Sequence, residues 1–146
     1  MKTLRFVPLL LLLAGCQPSS SSQPEAGLPV AEAEKTVLAR HDSLMAQMDQ
    51  LYELRQQLAK APATDTVAIG QARRALVGAE NGMMDWMHRY SRPADTVADA
   101  RRLAYYAMQQ ERIDSVGRLF DSSQAAAHQL LKAASASATP SSSVTQ

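Results

Sequence analysis

The chain has 146 residues, a formal charge of +1, 5% aromatic residues and one cysteine. That length suits one small domain and not two. The even charge excludes a strongly basic nucleic-acid binder and a strongly acidic tail protein, and one thiol excludes an internal disulfide framework or a cysteine-based zinc cage. Few aromatics with abundant Ala, Gln and Arg suit closely packed helices better than a sheet sandwich.

Lys2 and Arg5 precede an apolar run from Phe6 to Leu13 that only Pro8 interrupts. A spanning helix needs about 20 apolar residues, so the run reads as a secretory signal over residues 1–15. It ends in Leu13-Ala14-Gly15-Cys16, which resembles the lipobox of bacterial lipoproteins. The resemblance implies that Cys16 is lipidated, that the residues before it are removed and that it becomes the first residue of the mature chain. Loss of Lys2 and Arg5 then changes the charge from +1 to −1, and the lipid consumes the only thiol, removing cysteine nucleophile and metal chemistry. Several acyl chains, at about 0.8 kcal/mol per buried CH₂, make a firm anchor. In such lipoproteins Gln17 in place of Asp is compatible with outer-membrane sorting, and no acidic cluster follows that would suggest surface export. The expected location is the outer membrane, lipid-anchored and facing the periplasm.

Residues 16–30 are expected to be the lipidated Cys and a flexible linker rich in Ser and Pro, and residues 135–146 a disordered tail of similar character. Between them, residues 31–134 carry Pro62 and Pro93, which divide the body into three segments. In the first, Val37, His41, Leu44, Met48, Leu51, Arg55 and Leu58 step by four and three, with Met45 and Tyr52 widening the stripe. In the second, Ile69, Ala72, Leu76, Ala79, Met83, Trp86 and Tyr90 do so without a fault. In the third the same steps join Leu103, Tyr106, Gln110, Ile113, Gly117, Phe120, Gln124, Ala127 and Leu131, with Val116 and Leu119 alongside. Such spacing puts each set on one helical face.

Asp-Thr-Val-Ala recurs at 65–68 and 95–98, each time shortly after a proline, and Asp65 and Asp95 are both expected to cap helix starts. Unequal spacing between this motif and the Ala-Arg-Arg triplets at 72–74 and 100–102 argues for reused capping chemistry rather than duplication. Short connections imply antiparallel neighbours. The expected fold is all-α, an antiparallel up-down-up three-helix bundle with coiled-coil-like packing. A third helix over 95–134 would be about 60 Å long against about 40 Å for the second, so its last turns should project, fray or meet another molecule. Gly78 and Gly82 form a small-xxx-small pair, read as close approach of a neighbouring helix.

Catalytic motifs are missing: there is no HExxH, GxxxxGK[ST] or GxSxG, and adjacent His41-Asp42-Ser43 cannot form a relay on a helix. The chain is expected not to be an enzyme. One soft-donor constellation stands out. His41, Met45 and Met48 share a face, Met83, Met84, Met87 and His88 form a second group, and a hairpin near residue 62 sets position 41 opposite about position 84. Thioether and imidazole suit Cu(I), which makes His41, Met45, Met84, Met87 and His88 candidate ligands. Met is equally a flexible core filler. Arg55, on the first stripe, is expected to pair with Asp114, while Arg73-Arg74 and Arg101-Arg102 read as solvated faces.

The segments HDSLMAQMDQL and MMDWMHRY resemble small helical lipoproteins of Bacteroidota, some labelled after viral A-type inclusion proteins. That resemblance spans about residues 35–120 and implies no activity. Braun-type murein lipoprotein also resembles the chain in lipobox and heptads, but Gln146 stands where its C-terminal Lys would be, so covalent attachment to peptidoglycan is not expected. Three functions remain: a lipid-anchored helical interaction module with a protein partner or self-association through its helices, a periplasmic Cu(I)-handling protein, and a spacer that oligomerises through its third helix. Nucleic acid is not an expected partner.

Overall fold

The computed structural model describes residues 27–62 and 65–138. Among them the chain is all helical, with no strand, and forms a bundle of three arms. The first arm is two helices, α1 (Leu28–Met45) and α2 (Met48–Lys60); the second is α3 (Thr66–Arg89) and the third is α4 (Asp99–Ala138). The signal run, Cys16 and most of the linker lie outside the described residues.

The helix boundaries correct the sequence reading at both ends. α1 starts at Leu28, inside the expected linker, because Gly27 takes a φ of 117° that only glycine adopts easily and Pro29 sits in the first turn. Val30 is thereby placed in the core at 1% exposure. α4 likewise continues through residues 135–138, where a disordered tail was expected.

The first stripe is broken where a single helix was expected. Gln47 donates its side-chain amide to Ser43 O at 3.0 Å, while its own N–H turns to Leu44 O at 2.9 Å. A side chain thus replaces one rung of the i→i−4 ladder, which is how helices kink without proline. Gln124 Nε2 fixes the break from α4 by donating to Gln47 Oε1 at 3.0 Å.

Ion pairs and packing give the register. Arg40 meets Asp114, and Gln47 meets Gln124, so the first arm runs parallel to α4. Arg55 meets Glu80, and Gly82 lies beside Val116 and Leu119, so α3 runs antiparallel to both. The order is up-down-up. α1 packs chiefly on α4, whereas α2 packs on both α3 and α4.

The stripes meet in one core containing Val37, Leu44, Leu51, Leu58, Leu76, Met83, Trp86, Tyr106, Ile113 and Phe120. Leu54 and Ala134 join the buried set without having been singled out. Met45, Tyr52, Leu103 and Leu119, expected on or beside the stripes, are 37%, 53%, 36% and 47% exposed instead. The last turns of α4 do not hang free, since Ala127 is fully buried and Leu130 and Leu131 pack against the core.

Three local expectations need revision. Asp65 caps α3, accepting from Val67 N at 3.1 Å and Ala68 N at 2.9 Å. Asp95 caps nothing: α4 begins four residues later, and Asp95 accepts from Arg92 and Arg102 side chains. Arg55 pairs with Glu80 Oε2 at 2.9 Å rather than with Asp114, which belongs to Arg40 at 3.3 Å. Of the paired glycines, only Gly82 serves close approach, with Leu119 Cδ1 3.3 Å from where a Cβ would stand; Gly78 has open space. The tightest glycine is Gly117, buried under the Arg40 guanidinium, with which a Cβ would collide.

Gly78→Ala should therefore stabilise the fold by about 1 kcal/mol, the helix-propensity difference at an exposed site. Gly117→Val should destabilise it, because the added methyls displace Arg40 from α4 and break its ion pair with Asp114. Urea unfolding followed by circular dichroism measures both, and opposite signs are expected.

Candidate functional site

Where α1 and α4 begin and α3 ends, aromatic side chains from all three arms form a ladder. Trp86 stacks on Tyr90 at 4.9 Å between ring centroids, and His41 of α1 tilts against the other side of Trp86 at 5.5 Å. Tyr90 continues to Tyr105 at 6.2 Å and Tyr105 to Tyr106, edge-on, at 5.5 Å. Each ring pair adds about 0.5–1.5 kcal/mol beyond its buried area. Tyr105 also accepts the Ser91 N–H at 2.8 Å, tying the α3–α4 connection to α4.

Charges close over this ladder. Arg92 grips Glu34 of α1 through Nε, at 2.9 and 3.2 Å to the two carboxylate oxygens, and reaches Asp95 at 3.3 Å. Arg102 approaches Asp95 at 3.1 Å and Asp99 at 3.5 Å. The hydrogen bond to Glu34, then the charge of Asp95, hold the Arg92 guanidinium even more firmly protonated than usual. Burial, with the hydroxyl of Tyr106 and the carboxylate of Glu34 close by, pushes the Tyr90 phenol up to about 12. Burial and then Glu34 raise Tyr106 as well.

Beside the ladder lies a crevice of about 150 Å³ between α1 and α3, lined by Leu38, His41, Trp86, Met87 and Tyr90. The structure thus brings together two of the candidate ligands, His41 and Met87. Met45 and Met84 lie on the surface at 37% and 44% exposure, His88 is exposed, and Met83 is fully buried in the core. Nδ1 of His41 stands 2.9 Å from Asp42 Oδ1. A carboxylate only accepts, so this bond puts the proton on Nδ1 and the lone pair of the neutral ring on Nε2. A second, open groove of about 390 Å³ between α3 and α4 is lined by buried Trp86, Gln109 and Val116 and by exposed Arg89 and Arg112.

Glu34 and Arg92 carried no signal in the sequence, because they are 58 residues apart and off every stripe. Among the described residues no three His, Cys, Asp or Glu side chains converge on a metal position, and no helix is long and apolar enough to cross a membrane. Comparison with protein-family models, curated proteins and solved structures finds no match.

The raised phenols set a pH limit. A folded-state Tyr pKa above the ordinary 10.0 gives stability that is present below pH 10.0 and lost as pH rises toward about 12. Alkaline titration should show helical signal falling over that interval together with the late part of tyrosinate absorbance. Tyr90→Phe should lessen the fall.

Proposed function

We propose that the protein is a lipid-anchored, non-catalytic helical interaction module of the bacterial cell envelope, held in the outer membrane through Cys16 and facing the periplasm. The observation that carries this reading is Leu13-Ala14-Gly15-Cys16 at the end of a short apolar run behind Lys2 and Arg5. The anchor and the body are close in sequence: Gln17 to Gly27 separate Cys16 from the start of α1. At about 3.5 Å per residue that tether spans at most about 40 Å, which keeps the bundle near the membrane surface.

The bundle's surface supports the interaction role. Leu38 and Met45 fall seven residues apart on α1, and Tyr52 follows on α2 beyond the break at Gln47; they are 38%, 37% and 53% exposed. Exposed apolar side chains spaced along an arm are what a partner would pack against. The polar set that closes the bundle, Glu34, Arg92, Arg102 and Asp95, is engaged in ion pairing, and that pairing accounts for it without any reaction.

In bacteria expressing the full chain, labelled palmitate should enter the protein and Cys16→Ala should abolish both the label and conversion to the shorter mature form. Label that survives Cys16→Ala would remove the anchor from the proposal. Photo-crosslinking residues at positions 38, 45 and 52 should give discrete envelope adducts, while one at exposed Arg118 should not. Equal labelling at all four positions would defeat the interaction role.

A further inference from the structure

Beyond a tethering role, we propose that the crevice between α1 and α3 is a soft-metal site that takes Cu(I), with His41 Nε2 and Met87 Sδ as its two protein ligands. The two donors come from different arms and line the same crevice of about 150 Å³, which Met45 does not reach. The imidazole is oriented as metal-ligating histidines are: one ring nitrogen donates to a carboxylate, here Asp42 at 2.9 Å, which fixes the tautomer and leaves the other nitrogen basic. Nε2 takes no hydrogen bond within the described residues, although the side chain is only 21% exposed.

The donor set chooses the metal. Zinc and harder cations need further imidazole, thiolate or carboxylate ligands, and no three such side chains converge among the described residues. Thioether plus imidazole selects Cu(I). The Trp86 ring lies 5.5 Å from the imidazole. Because Trp86 is the chain's only tryptophan, it reports occupancy.

The test uses the full chain carrying Cys16→Ser, so that no thiol competes, titrated with Cu(I) under anaerobic reducing conditions against a bicinchoninate competitor. Binding of one equivalent is expected, with Trp86 emission quenched to saturation at the same point. Zn(II) should not displace it. His41→Gln and the near-isosteric Met87→Leu should each weaken binding at least tenfold, whereas Met83→Leu, in the core, and His88→Gln, on the surface, should not. Absence of saturable binding, or full affinity in both crevice variants, would overturn the site. Equal weakening by His88→Gln would overturn it too, by moving the metal to the outer surface. If His41→Gln unfolds the chain, the parent still decides: Ag(I) must shift the His41 ring resonances and leave those of His88 and His128 in place, and the reverse pattern refutes the assignment.

Discussion

A helix of 40 residues cannot bury its apolar stripe against one of 24. At 1.5 Å per residue α4 is about 60 Å long and α3 about 36 Å, yet α4 is buried at intervals from Tyr106 to Ala134. The first arm resolves the mismatch. α1 and α2, with the two residues joining them, extend about 50 Å parallel to α4, α1 covering its first half and α2 its second. An unbroken straight helix would have one face to offer along that whole length. The break at Gln47 lets α1 serve α4 while α2 serves α3 and α4 together.

The break is stabilised from within the bundle. Gln47 and Gln124 exchange a hydrogen bond across the stripe, and Arg40 lies over Gly117 one α-helical turn beyond Asp114. Polar groups at half-buried positions carry a cost unless they are paired. Here they act as register marks, since a shift of either arm by one turn would separate all three contacts. The opposite end closes by a different device. No side-chain cap from Asp95 starts α4; the connection from Tyr90 to Ala98 is held by Arg92 on Glu34 and by Arg102 on Asp95. Arg92 is half exposed, so its pair adds little by itself. Glu34 at 17% and Arg102 at 11% exposure are another matter, because removing a partner there strands a charge away from water.

Much of this was legible in the sequence for one reason: hydrophobic spacing reports which face of a helix must be covered. The whole second stripe, Ile69 to Tyr90, is buried or half-buried in the order expected. Spacing says nothing about which polar side chain will win a shared partner. Asp65 and Asp95 sit in the same tetrapeptide, yet only Asp65 caps, because Arg92 and Arg102 reach Asp95. Counting through turns put Arg55 near Asp114, but the antiparallel register of α3 brings Glu80 closer. The same geometry splits the candidate metal residues: His41 and Met87 come together, while His88, next in sequence to Met87, is exposed.

The polar residues written into the stripes can be set side by side. Arg55 is answered by Glu80 and Gln124 by Gln47, each partner coming from another arm. Gln110 donates to Asp114 one turn along α4, while its buried Oε1 has no partner among the described residues. His41 is answered on one nitrogen only, by its own sequence neighbour. A leucine at position 41 would bury more apolar area against Trp86 and Met87, at about 25 cal/mol per Å², and would need no carboxylate beside it. The crevice exists because α1 packs on α4 and hardly on α3, so the kink that satisfies the long helix also leaves this imidazole facing a gap. Sequences depart from local consistency where a site is built, and the proposed crevice site would account for the departure at position 41.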